Sequence, residues 1–205
     1  MSSMEILAPT FLEYWAVRCM RPKVPIRCAG LRLAHWKGLP KSSPVIVCGL
    51  AGALSSHLAP GTVLIPERVG LTDGSIRCCD PMLVQILVAA AQMLHLRLDT
   101  GTLLTAQSLI VGQERHVWYQ RGFVAADMET GLLLDHGLRI ASIRVILDNP
   151  EHDISLDWLH PLKVLLRPSL REEFFWLSHM APRYALRAAR VLKVGLDLAP
   201  DSIFV

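Results

Sequence analysis

The sequence predicts a three-layer α/β/α sandwich built on a mixed, twisted central sheet, and three observations point there. Short apolar runs alternate with segments of helical periodicity along the whole chain, which is the pattern of an α/β sheet. The chain has 205 residues, 52% of them hydrophobic, enough to bury a three-layer core. Its longest apolar runs, such as "VIVCGLAGAL", stop far short of the ~20 residues a membrane helix needs. We therefore read residues 1–205 as one domain. Charged residues make up 19% and the net charge is only +3. Lys and Arg are scattered, with no basic run or interleaved aromatic platform, so nucleic acid is not an expected partner.

Each element follows from its local pattern. "MEILAP" reads as a strand, "TFLEYWAVRCM" as a helix, "PVIVCGL" as a strand and "GTVLIPERV" as another. Asp80 followed by Pro81 makes an N-cap and first-turn pair. Met82, Leu83, Ile86, Leu87, Ala90 and Leu94 then recur at helical spacing. "LRLDTGTLLTAQSLIV" predicts a strand or strand pair, "GQERHVWYQRG" a helix ended by Gly122, and "FVAADM" a strand. "ETGLLLDHG" reads as a helix ended by Gly137 and "LRIASIRVILD" as a long strand. From Asp157 to about Leu198 the pattern is helical, with breaks expected at Pro168 and Pro182.

Five cysteines include no CxxC pair, and Cys48 lies in an apolar run where a reduced thiol packs as a small hydrophobe. With no secretion signal at the N-terminus, this predicts a cytoplasmic protein. The eight histidines show no HExxH or paired ligand spacing, so no metal and no other cofactor is expected. Ser55 and Ser56 beside His57 read as turn residues.

Carboxylates mark the candidate site. Asp127 and Glu129 interrupt the apolar stretch "FVAADMETGLLL", where Glu129 falls at a strand-to-helix junction. Asp148 ends the next long strand. Acids at neighbouring strand ends lie on the sheet edge where α/β folds bind ligands, although each alone also fits a helix-dipole or turn role. Alternation along the strand turns Asp127 away from Met128, into a structural position. "CGLAG" offers Gly49 and Gly52 after a buried strand, where backbone can approach a ligand.

Together four segments resemble the nucleoside phosphorylase and nucleosidase family. "VIVCGLAGALSSHLAPGTVLIPERV" is similar to its glycine motif, "TGTLLT" to its purine-side strand, "VAADMETG" to its ribose motif and "SIRVILDN" to its V-R-x-I-S-D motif. The resemblance implies cleavage of the N-glycosidic bond of an adenosine-type purine nucleoside, as in 5′-methylthioadenosine/S-adenosylhomocysteine nucleosidases. Glu129 would hold the ribose 2′ and 3′ hydroxyls with Met128 against the sugar, and Asp148, its pKa raised by burial, would protonate N7. Gly49, Ala51, Gly52, Leu104 and Thr105 match the substrate-binding segments. Glu13, after the first strand, matches the glutamate that activates water in the nucleosidase branch.

The sequence departs from the pattern in three places. Leu147 replaces the usual serine before the aspartate. Val47 and Leu50 stand where the phosphorylase branch binds phosphate, leaving Arg18, Arg27 or Arg32 as its remaining sources. The segment before the glycine motif is short, which resembles the compact phosphorylase-like proteins associated with hopanoid synthesis. Water or phosphate as co-substrate, adenosylhopane as substrate, and a non-catalytic nucleoside-binding module thus stand as alternatives. A homodimer is implied, because the family completes its 5′ pocket from a neighbour and so apolar a chain has surface to hide.

Overall fold

In the computed structural model, residues 4–35, 44–134, 137–155 and 171–200 are described. In chain order the elements are β1 (Glu5–Ala8), α1 (Phe11–Cys19), β2 (Ile26–Cys28), β3 (Val45–Ala53), β4 (Val63–Leu64), β5 (Arg68–Leu71), β6 (Ile76–Cys78) and α2 (Pro81–Met93). There follow β7 (Leu98–Asp99), β8 (Thr102–Thr105), α3 (Gln113–Gln120), β9 (Phe123–Asp127), α4 (Thr130–Leu134), β10 (Ile140–Asp148) and α5 (Arg171–Leu198). The strands form one mixed sheet in the order β6-β5-β8-β9-β3-β10-β4-β7, with β1 joined to β3 and β2 to β1.

Alternation along β3 shows how the layers assemble. Ile46 and Cys48 pack with Ala16 and Val17 of α1, Leu83 of α2 and Ala188 of α5. Val45 and Val47 point the other way, to Leu133 of α4 and Leu138. Trp118 of α3 joins Leu54, Leu104 and Phe123 in a third cluster. Helices α1, α2 and α5 therefore form one layer and α3 and α4 the other, as the sequence predicts. Each apolar face is covered because a strand buried on both sides must satisfy both. The N-cap reading also holds, since Asp80 Oδ1 accepts from the backbone of Met82 and Leu83, each at 3.1 Å. Among the described residues no helix is long and apolar enough to cross a membrane.

Two expectations are corrected. "GTVLIPERV" is two strands in different parts of the sheet: β4 pairs with β10 and β7, β5 with β8 and β6. Pro66 between them has no N–H for a ladder and lets the chain change direction. Conversely, α5 runs through Pro182 without ending. The missing N–H leaves one carbonyl without its helical donor, but buried Leu177 before the proline and Tyr184, Ala185 and Ala188 after it hold both halves in the core. Pro168, with residues 157–170 of the expected helical stretch, lies outside the described residues.

One feature of the topology creates the site. β10 pairs with β3 along its length, in parallel. On the opposite edge of β3, β1 runs parallel beside Val45–Val47 and β9 runs antiparallel beside Gly52 and Ala53. The C-terminal ends of β1 and β9 therefore point toward each other across a gap flanking residues 48–51. Backbone groups of β3 in that gap lack a strand partner and need another one.

Candidate active site

Side chains fill the gap in the sheet edge. The Leu50 N–H donates to Glu13 Oε1 at 2.7 Å, and the Leu50 carbonyl accepts from Arg144 Nη1 at 3.2 Å. Glu13 arrives there because Thr10 caps α1 immediately after β1. Its Oε2 accepts from the Thr10 backbone at 2.7 Å and the Thr10 hydroxyl at 2.6 Å, closing a capping box. The same carboxylate thus starts a helix, mends a strand edge and borders a cavity.

Arg144, in mid-β10, is fully buried and surrounded by acids. Its Nη2 lies 2.5 Å from Asp127 Oδ2 and 3.3 Å from Glu129 Oε2. Asp127 is otherwise committed to structure, accepting from Thr105 Oγ1 at 2.5 Å and from the Thr130 backbone at 3.1 Å. Glu129 is held more loosely, its Oε1 accepting from the Arg32 backbone at 3.1 Å. Burial pushes the Glu129 carboxyl up to about 7, Arg144 opposing and Asp127 and Glu13 reinforcing the shift. For Arg144 burial favours the neutral form, but the surrounding carboxylates outweigh it and raise its pKa.

The two glycines of "CGLAG" have a specific use. Gly49 faces Arg144 and Gly52 faces Asp148 in the β3–β10 register. A Cβ on Gly49 would overlap Glu13 Oε1 and lie 2.8 Å from Arg144 Nη1; one on Gly52 would lie 3.0 Å from Asp148 Oδ1. The close approach is therefore by the protein's own charged side chains. Between Ile146 and Asp148 the register with β3 shifts, and this irregularity leaves Leu147 and Asp148 both bordering the cavity. Asp148 is 6% exposed and forms a buried ion pair with Arg115 of α3. Burial raises its pKa, with the Arg115 guanidinium drawing it down.

These groups surround a cavity of about 560 Å³, within the roughly 300–1,000 Å³ of small-molecule sites. Of the residues expected from sequence, Glu13, Ala51, Gly52, Met128, Glu129 and Asp148 line it. Gly49, Leu104 and Thr105 stand behind it: Leu104 is in the core, and Thr105 bonds Asp127 and the Gly131 backbone. Arg144 and Arg115 were not anticipated. An arginine inside "IASIRVILD" is a signal the sequence does carry; Arg115, on a polar helix, looks like any solvated residue. The rest of the wall is largely apolar and includes Leu12, Leu31, Leu109, Phe174 and Leu177.

Residues 12–160 match the phosphorylase superfamily. The chain therefore belongs to that superfamily of enzymes, as its motifs predict. Among solved structures it resembles the futalosine hydrolase of Helicobacter pylori (13% identity, 95% of this chain and 97% of that one, TM-score 0.71). It resembles equally the H. pylori 5′-methylthioadenosine/S-adenosylhomocysteine nucleosidase with butyl-thio-DADMe-Immucillin-A (14% identity, 96% and 98% coverage, TM-score 0.72). A third is the S-adenosylhomocysteine nucleosidase of Streptococcus pyogenes with 5-methylthiotubericidin (16%, 96% and 97%, 0.71). Comparison with curated protein sequences gives no match.

Proposed function

We propose that the protein hydrolyses the N-glycosidic bond of an adenosine-type purine nucleoside, in the manner of the 5′-methylthioadenosine/S-adenosylhomocysteine nucleosidases. The observation that carries this reading is that Glu13, Glu129 and Asp148, delivered by three different strand ends, border one cavity. As the bond from C1′ to N9 lengthens, positive charge builds on the ribose and negative charge on the purine. Glu129 accepts from the ribose hydroxyls, and the surplus of carboxylate over guanidinium around Arg144 favours the cationic sugar. Asp148 gives its proton to N7, so the base leaves neutral. Water adds to C1′ and loses its proton to Glu13.

Water is preferred to phosphate because, among the described residues, the arginines bordering the cavity are Arg115 and Arg144, and both are held by carboxylates. Arg18, Arg27 and Arg32 do not line it, and Val47 is in the core. A phosphate dianion there would lack the cation that offsets its desolvation. The apolar wall favours a hydrophobic 5′ substituent, and a bulky one such as that of adenosylhopane is the second reading. Exposed Phe11, Trp15 and Phe175 support a homodimer. Purified protein offered methylthioadenosine, adenosylhomocysteine and adenosine should release adenine, and Glu13→Gln should abolish most of that release. Failure of every nucleoside to lose its base would contradict the proposal.

A further inference from the structure

Arg115 serves two carboxylates. The Nη2 that pairs with Asp148 also reaches Asp153 Oδ1 at 2.7 Å, Nε reaches the same Asp153 oxygen at 3.1 Å, and Nη1 donates to the Ala53 carbonyl. Asp153 Oδ2 accepts from the Gly112 N–H at 2.8 Å, which ties the start of α3 to the turn after β10. That turn is itself held by Asn149 Oδ1, which accepts from the backbone of Glu151 and His152 at 3.1 Å each. Asp153 borders a separate cleft of about 650 Å³ along with His57, His116 and Tyr119, and its side chain is one-third exposed. Arg115 thus lies, almost fully buried, between a carboxylate in the cavity and a carboxylate in the cleft.

We propose that Asp153 is a positioning residue that sets the protonation of Asp148 through Arg115. The inference rests on the reading of Asp148 as the proton donor. Unopposed, a buried guanidinium against a carboxyl would hold it ionised and empty of the proton the reaction needs. Asp153 competes with Asp148 for the same Nη2 and takes part of the Arg115 charge, so Asp148 keeps its proton to higher pH. The direction of the Asp148 shift agrees, Asp153 being among the groups that raise it. No other charged group stands in the same relation among the described residues. Asp127, Glu129 and Arg144 form their own cluster, His57 and His116 line the cleft, and Glu114 accepts from Trp118 Nε1.

Asp153→Asn keeps an acceptor for Gly112 but removes the charge. In the ligand-free protein, the carboxyl 13C titration of Asp148 should move to lower pH by about one unit. With methylthioadenosine as substrate, the alkaline limb of kcat/KM should move the same way, while the low-pH plateau falls by no more than about threefold. Asp153→Glu, which restores the charge, should return both toward wild type. A role confined to holding the loop would instead lower the rate equally at every pH, with Asp148 titrating as before, and would overturn the proposal. A shifted titration in a protein that cleaves no nucleoside would uphold the assignment of Asp153 and refute Asp148 as a proton donor.

Discussion

At the residue scale the site is an imbalance of charge. Glu13, Asp127 and Glu129 meet the buried guanidinium of Arg144, and burial, reinforced by Asp127 and Glu13, lifts the Glu129 carboxyl to about 7. Because this folded value lies above the ordinary 4.5, the contribution of the neutral form to stability is full below about pH 4.5 and is lost as pH rises to about 7. The unfolding midpoint of the wild type should therefore fall relative to that of Glu129→Gln over that window; parallel curves would contradict the shift. The same variant should fold yet lose about 2 to 4 kcal/mol in kcat/KM, as expected for charge-assisted hydrogen bonds to a ribose diol. Removing the cation is more severe. Arg144→Leu should cost about 3 to 5 kcal/mol at pH 7 by urea denaturation, and less at pH 5, where the Glu129 carboxyl carries its proton. Asp148→Asn should slow adenine release by roughly 10² to 10⁴ and spare substrates with activated leaving groups. Equal losses on both kinds of substrate would make Asp148 structural.

At the element scale, what positions these residues is the shared edge of β3. β1 and β9 converge on the gap from opposite directions, and the gap is narrow enough that Gly49 leaves no room for a methyl group. Gly49→Ala should destabilise the fold by about 1 to 3 kcal/mol and impair activity together, because the intruding carbon displaces Glu13 and Arg144. A variant of wild-type stability and rate would show that the edge has slack. The strands that carry the site, β1, β3, β9 and β10, were legible because buried strands write apolar runs, and β9 and β10 close theirs with Asp127 and Asp148. β2 and β6 were not, being three residues long and largely exposed or half-exposed. The continuity of α5 through Pro182 was illegible for a different reason: local propensity forbids it, and only packing on both sides permits it. Arg115 shows the same limit in the site itself. Its partner Asp148 lies in a different element, and only the fold brings them together.

At the scale of the whole molecule, the chain joins a polar end of the cavity, where charges are paired and buried, to an apolar wall reaching exposed aromatic side chains on α1 and α5. Phe11 is 66% exposed and Phe175 62%, an arrangement that a homodimer would cover. Light scattering should return about twice the 22.8 kDa of one chain at micromolar concentration, and a monomer would contradict that reading. We propose that this arrangement of carboxylates activates water and not phosphate at the anomeric carbon. It is tested most directly by identifying the products formed from methylthioadenosine in phosphate-free buffer. The products should be adenine and the free 5-methylthio sugar, formed at a rate that added phosphate does not raise. Adenine release that depends strictly on phosphate and yields the sugar 1-phosphate would contradict it.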